Sequence, residues 1–285
     1  MIILARIFAR IVALPSLAAL QQWGRVLGWL LGRVIRHRRA QVLATLARCF
    51  PEKTDAQRVA IADGMYRHLA MVVLECLRYS EDRAAAFRSL VRVRGREHVD
   101  ALRAQGHGAL VLMGHLGNWE LMGPVASGLW GQIDVVVRPQ HNAAFDTYWR
   151  TSREKMGVRS LPAVHAYRDC LRALSRNEVV AIIVDQNMRR QRGIFVDFFG
   201  QPACTTPGLA YLAAHARLPV VPVCMIRESD GSHTLHVLPS LPPPSDRQPE
   251  TIHAATQAYT TAFEELVRRY PEQWIWLHKR WRTRP

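Results

Sequence analysis

Two side chains of complementary acid–base type stand five residues apart in the segment Gly114-His-Leu-Gly-Asn-Trp-Glu120. An imidazole that gives one ring nitrogen to a carboxylate keeps the other free to take a proton from a hydroxyl. That is general-base chemistry, worth typically ~10²–10⁴-fold in rate. On one continuous helix His115 and Glu120 would point apart, because helical neighbours are three or four residues apart. They meet only if the chain turns between them. Gly117-Asn118 supplies a turn, with Asn118 as a helix cap. The same spacing also fits a structural histidine at a loop with Glu120 on a solvated helix face, and the spacing alone does not separate the two.

The elements that must position this pair are legible as short apolar runs. Those at 109–113, 133–137, 179–184, 220–226 and 234–238 lack helical spacing and read as strands, several of them buried on both faces. Helical patterns separate them near 97–104, 118–129, 143–155, 165–176 and 205–217, and a last helix covers about 250–269 after the break Leu241-Pro-Pro-Pro-Ser245. The expected fold class is α/β, a mixed, mostly parallel sheet flanked by helices. The His115 motif follows the 109–113 run directly, and ligands in such sheets bind at the carboxyl ends of strands. Upstream, 40–48 and 54–79 read as helices, the second opened by Thr54 and Gln57 at capping-box spacing.

The 285 residues carry 38 Lys+Arg against 23 Asp+Glu, a net charge of +15. By composition this suits nucleic acid, anionic lipid or an acidic protein. Its distribution favours the last two. Residues 1–51 hold eight arginines and no acid. On a helical projection Arg6, Arg10, Gln21, Gln22, Arg25, Arg33 and Arg36 fall within roughly half the circle, opposite Ile, Leu, Val, Phe and Trp. Pro15 divides or kinks this helix. The pattern fits a helix lying in a membrane interface, with Arg33, Arg36, Arg38 and Arg39 against anionic headgroups. An amphipathic helix docked on its own domain is the alternative, and membrane association is the favoured reading. Within residues 1–51 the longest uncharged run, 11–24, is shorter than the roughly 20 residues of a comfortable span, and an in-plane anchor and a tilted span both stay open. The expected organisation is a basic membrane-anchoring helix over 1–39 and one α/β domain over 40–285. Five cysteines, odd in number and never spaced Cys-x-x-Cys, suit a reducing compartment.

Several chemistries lack their signatures. There is no Gly-x-Ser-x-Gly elbow, dinucleotide fingerprint, P-loop, His-Glu-x-x-His or nucleic-acid-binding motif. What the chain does carry is a series of blocks in order: the His115 motif, Val137-Arg138-Pro139, Val184-Asp185-Gln186-Asn187, Gly193-Ile-Phe-Val-Asp-Phe-Phe-Gly200, Ala203-Cys-Thr-Thr-Pro-Gly208, and the tail Pro271-Glu-Gln-Trp-Ile-Trp-Leu-His-Lys-Arg-Trp-Arg-Thr-Arg-Pro285. Together they resemble the late (secondary) acyltransferases of lipid A biosynthesis, within the lysophospholipid acyltransferase superfamily. One departure is Asn187, where many members have a second acid.

The resemblance implies a glycerolipid acyltransferase-like fold and transfer of a fatty acyl group from acyl carrier protein to a hydroxyl of a lipid A precursor of the Kdo-lipid IVA type, at the cytoplasmic face of the inner membrane. It casts His115 as base, Glu120 as its orienting partner, Arg138 as a phosphate or oxyanion ligand and Asp185 as a positioning residue. Arg189 and Arg190, with Arg192, form a basic loop suited to lipid phosphates. His278, Lys279, Arg280, Arg282 and Arg284, with Trp274, Trp276 and Trp281, form a basic aromatic tail suited to the membrane or the carrier protein. Trp119, Met122, Phe198 and Phe199 fit an acyl pocket or ordinary core, and Thr205 and Thr206 fit helix capping. His141 lies near Arg138 without metal-ligand spacing. No metal, organic cofactor or nucleic-acid partner is expected.

Overall fold

The computed structural model describes residues 11–79, 83–138, 143–164 and 166–285. The chain breaks at Pro15, and Ser16 caps helix α1 (Leu17–Trp29) by accepting the Ala19 amide at 3.2 Å. A π-helical turn, Leu30–Val34, extends it. Helices α2 (Arg39–Cys49) and α3 (Asp55–Arg78) follow. The expected capping box is present, with Gln57 N donating to Thr54 Oγ1 at 3.3 Å and Thr54 N to Gln57 Oε1 at 2.8 Å.

Glycines decide how α1 sits. Gly24, Gly28 and Gly32 form the stripe that lies on α3, and a Cβ on Gly28 would stand 2.4 Å from the Arg67 Cα. Only glycine allows that approach, the geometry of small-residue helix pairs. Because Leu20, Gln21 and glycines make up the buried side, Trp23, Val26, Leu27, Trp29, Val34 and Ile35 remain exposed. The two-sided helix read from the sequence is therefore three-sided: glycines on α3, an apolar face outward, and arginines between. The basic end is partly spent internally, since Arg33 and Arg39 pair with Asp63 at 2.5 and 2.7 Å. Arg6 and Arg10 lie outside the described residues. No described helix is long and apolar enough to cross a membrane.

The remainder is α/β. Strands β1 (Val91–Arg94), β2 (Ala109–Met113), β3 (Ile133–Val137), β4 (Val158–Pro162), β5 (Val179–Ile183), β8 (Val220–Arg227) and β9 (His233–Val237) form one sheet in the order β1-β9-β8-β2-β5-β3-β4. Every pairing is parallel except β8–β9. A separate antiparallel hairpin joins β6 (Ile194–Phe198) to β7 (Gln201–Thr205). Its two-residue turn, Phe199-Gly200, has both φ positive (+56 and +67), as a type I′ turn requires.

Short helices α4 (Ala84–Arg88) and α5 (Glu97–Ala104) flank β1. Helix α6 (Trp119–Trp130) covers the sheet face that presents Val111 and Met113. Helix α7 (Ala143–Lys155) leads into β4. Helices α8 (Ala166–Ser175), α9 (Gly208–Ala216) and α10 (Pro249–Arg269) cover the face that presents Leu110 and Leu112. The interior strands β2, β5 and β8 are buried on both faces, which is why they read as unbroken apolar runs. Within this seven-stranded sheet, the strands that apolar runs do not reveal, β1 and β4, are the two edges.

Candidate active site

His115 and Asp185 are brought together by sheet register. Strands β2 and β5 are parallel neighbours, with Ala109 opposite Val179 and Met113 opposite Ile183. Two residues beyond that last pair stand His115 and Asp185. The His115 backbone amide donates to Asp185 Oδ2 at 2.7 Å, and His115 Nδ1 lies 2.9 Å from Oδ1. Trp274 Nε1 donates to Oδ2 at 2.8 Å. Asp185 is 1% exposed. Burial alone would raise its carboxyl pKa, but His115, with His278 and the Trp274 hydrogen bond, outweighs burial and holds it well below the usual carboxylate range.

An ionised Asp185 fixes the imidazole with its proton on Nδ1, leaving Nε2 as the acceptor. Burial disfavours the imidazolium, yet the Asp185 charge and hydrogen bond, with Glu120 behind them, lift the His115 pKa above its ordinary 6.5. His115 lines a cavity of about 690 Å³, within the roughly 300–1,000 Å³ of ligand pockets. Met113, Trp119, Met122, Ala126 and Trp130 supply its apolar wall, while Glu120, Arg138 and Arg153 bring charge to it. The pairing of β3 with β5 ends at Val135 opposite Ala181, and the cavity lining takes in residues from both sheet faces there.

The expected hydrogen bond from Glu120 to His115 is not made. Glu120 sits in the first turn of α6 and is held by Arg153 Nη2, 2.8 Å from Oε1 and 3.0 Å from Oε2. The reason is register: β5 delivers a carboxylate directly beside His115, whereas Glu120 lies beyond the turn, opposite α7. Glu120 and His115 still line one cavity. Asp185 in turn has both oxygens committed to His115 and Trp274, so its contacts are to protein and not to the cavity.

The turn itself follows from Gly117 and Asn118. Gly117 has φ +62, and a Cβ there would stand 1.9 Å from Met225 O. Asn118 caps α6 as expected, with Oδ1 accepting from Leu121 N at 3.2 Å. The C-terminal tail clamps the turn from outside: Gly117 N donates to Gln273 O at 3.0 Å, and Ile275 N to His115 O at 3.3 Å. The reading of this tail as a surface element needs correction. Trp274, Trp276, Arg280 and Trp281 are buried, and Arg280 Nη1 donates to Cys204 O at 2.9 Å and Gln186 O at 3.2 Å. Asn187 belongs to the same clamp, its Oδ1 accepting from Thr283 N and its Nδ2 donating to Thr283 Oγ1, both at 3.0 Å.

Arg138 is exposed at the end of β3 and lines the cavity. Arg189 and Arg190 are exposed but do not line it, and Arg190 Nη2 donates to Arg284 O at 2.7 Å. Of the possible pocket aromatics, Trp119 lines the cavity while Phe198 and Phe199 are core. Thr206 Oγ1 accepts the amide of Gly208, the first residue of α9, at 3.2 Å, although the N-cap position itself is Pro207, and Thr205 Oγ1 donates instead to Ala203 O at 3.0 Å. His141 and Pro139 lie outside the described residues. His278, unassigned to the site by sequence, packs its ring 4.8 Å from that of His115. His115, Asp185 and His278 place potential ligand atoms within 4.8 Å of one another, but both Asp185 oxygens already accept N–H donors, an arrangement that serves a hydrogen-bond relay.

Residues 1–283 match the family described as bacterial lipid A biosynthesis acyltransferase, and the chain belongs to that family. A lipid A biosynthesis acyltransferase of Haemophilus influenzae is 23% identical over 90% of this chain and 80% of its own length. A lipid A biosynthesis lauroyltransferase of Escherichia coli is 26% identical over 96% of this chain and 89% of its own. A phosphatidylinositol mannoside acyltransferase of Mycobacterium tuberculosis is 29% identical over 66% of this chain and 58% of its own.

Proposed function

We propose that this acyltransferase moves a fatty acyl group from acyl carrier protein to a hydroxyl of a lipid A precursor of the Kdo-lipid IVA type, at the cytoplasmic face of the inner membrane. The observation that carries the mechanism is the His115–Asp185 pair at the wall of an apolar cavity. His115 Nε2 takes the proton of the acceptor hydroxyl as its oxygen attacks the thioester carbonyl carbon. The tetrahedral intermediate collapses with cleavage of the C–S bond, and the imidazolium returns its proton to the departing thiolate. Arg138 and Arg153, guanidinium groups at the cavity, suit substrate phosphate or the oxyanion of that intermediate. Glu120 holds Arg153 in place. The exposed apolar face of α1, with its flanking arginines, supports attachment to an anionic membrane surface.

The test is transfer by the purified protein from acyl carrier protein to the lipid A precursor, read by mass spectrometry of the acceptor. A mass gain of one acyl chain with the wild type, lost in His115→Ala, is the expected result. Undiminished transfer by His115→Ala would overturn the mechanism. A second acceptor class is favoured by the mycobacterial relative, a phosphatidylinositol mannoside acyltransferase. Offering a phospholipid-based mannoside beside the lipid A precursor separates the two.

A further inference from the structure

One buried carboxylate takes no part in the chemistry above, yet it lies directly beneath the His115 turn. Glu75, on α3, is fully buried. Its Oε2 accepts from Asn118 Nδ2 at 2.8 Å. Its Oε1 accepts from Gln21 Nε2 at 3.0 Å and from Arg227 Nη1. His233 Nε2 stands 3.0 Å from Arg227 Nη1. Burial works against an ionised carboxyl here, but Arg227 and His233 outweigh it and keep Glu75 charged.

Stability alone is a poor account of this cluster, because a buried ion pair often gives no more than well-packed apolar side chains of similar volume. Its geometry suggests another role. An amide side chain has a donor end and an acceptor end. Because the Glu75 carboxylate takes the donor end of Asn118, the acceptor end must face α6, where it caps Leu121 N. The Asn118 backbone amide is held as well, donating to Met225 O at 2.8 Å. One residue beyond Trp119 comes Glu120, and three residues before Asn118 stands His115. Glu75 thus determines which way the junction between them is capped. The third arm of the cluster, Gln21, comes from α1 and also donates to Gly231 O at 2.8 Å. The outward side of α1 is the apolar face of Trp23, Val26 and Leu27.

We infer that Glu75 is a positioning residue for acyl transfer: through Asn118 it sets the first turn of α6, and so Glu120 and Arg153, against His115, and through Gln21 it ties that turn to the apolar-faced helix α1. This rests on the reading of His115 as the base. The cluster is a three-way joint between a helix with an exposed apolar face, the β8–β9 end of the sheet and the catalytic turn.

The experiment compares Glu75→Gln, Asn118→Ala, the two combined, and the paired replacement Glu75→Leu with Arg227→Met, each in the full chain. Three quantities are read: melting temperature, kcat and KM for the acyl donor, and amide hydrogen exchange in the segment 118–123. Glu75→Gln is expected to lower kcat by roughly tenfold or more with donor KM little changed, the mark of an interaction made in the transition state. Exchange at Leu121 and Met122 should quicken. Adding Glu75→Gln to Asn118→Ala should cost nothing further, since both break one path. The paired replacement removes the charges together and returns the melting temperature toward wild type, while kcat stays low because Asn118 has lost its acceptor. Recovery of kcat together with stability, or losses that multiply independently, would reduce Glu75 to a structural role. The exchange measurement needs no substrate. Absent wild-type transfer to the lipid A precursor would therefore count against the acceptor assignment, and unchanged exchange would count against the positioning of the turn.

Discussion

Asp185 accepts two hydrogen bonds from the same residue, His115, one from its backbone amide at 2.7 Å and one from its ring Nδ1 at 2.9 Å. The backbone bond fixes where the histidine stands, and the ring bond fixes how it is turned. Trp274 Nε1 donates to Oδ2 as well, the oxygen that takes the His115 backbone amide. Asp185→Asn keeps the shape but offers an amide that can donate to Nδ1, which favours the wrong tautomer. It is expected to lower kcat by on the order of 10²-fold or more, with donor KM and melting temperature close to wild type. Steady-state kinetics on the purified variant check this, and a wild-type kcat would show that the ring orientation does not matter.

The pH profile should carry the same signature. The base acts as neutral imidazole, and Asp185 lifts its pKa above the ordinary 6.5 despite burial. Activity should therefore fall as the pH drops through an apparent pKa above that value. The linked stability has the opposite sense: it is fully present below the unfolded pKa and is lost as pH rises through the raised folded one. A limb in kcat/KM lying below pH 6.5 would contradict the assignment.

Glu120 and Arg153 act on that limb with opposite signs, since the Glu120 charge raises the His115 pKa and Arg153 lowers it. Glu120→Gln should move the acid limb to lower pH, and Arg153→Met should move it higher. The pair is bidentate and half-sheltered, about 20% exposed on each side, so water screens both effects and salt should weaken both. Shifts of the same sign in both variants would mean that the two act by other routes.

How much of this was readable in the sequence follows from the periodicities involved. The interior strands and the helices of the α/β body were legible because burial on both faces makes unbroken apolar runs. Edge strands β1 and β4 were not, because Val91-Arg-Val-Arg94 and Val158-Arg-Ser-Leu-Pro162 are half solvated. The β6–β7 hairpin was legible in retrospect from Phe199-Gly200 at its turn. The motif points to His115 and to Glu120 as its neighbour, whereas in the structure the imidazole pairs with Asp185 and Glu120 with Arg153. The His115–Asp185 contact spans 70 residues and depends on β2 lying next to β5 in register, which no local spacing encodes. The tail likewise looked basic and superficial because side-chain type does not reveal that Arg280 is directed at backbone carbonyls.

The apolar face of α1 gives a membrane prediction. Trp23 and Leu27 are 53% and 42% exposed, so replacing both by Asp disturbs little in the fold. Fully burying such a side chain is worth about 1.5–3 kcal/mol, and losing two should weaken binding to vesicles containing phosphatidylglycerol by at least roughly tenfold. Co-sedimentation measures it, with the melting temperature as control. Undiminished binding would move the attachment site elsewhere on the chain.

The glycines of α1 make the last and most specific prediction. A Cβ at Gly28 would stand 2.4 Å from the Arg67 Cα and 2.5 Å from Tyr66 O, both backbone atoms of α3. Neither can move aside as a flexible side chain would, so Gly28→Leu must lift α1 from α3. Overpacking of this kind costs typically about 1–3 kcal/mol, and the melting temperature should fall by several degrees. Lifting α1 also withdraws Gln21 from Glu75, a contact of 3.0 Å, so kcat should fall with stability. Val26→Leu, on the exposed side of the same helix, should change neither. Thermal melts of the two variants decide the matter: equal melting temperatures would mean that α1 is not held on α3 by its glycine stripe.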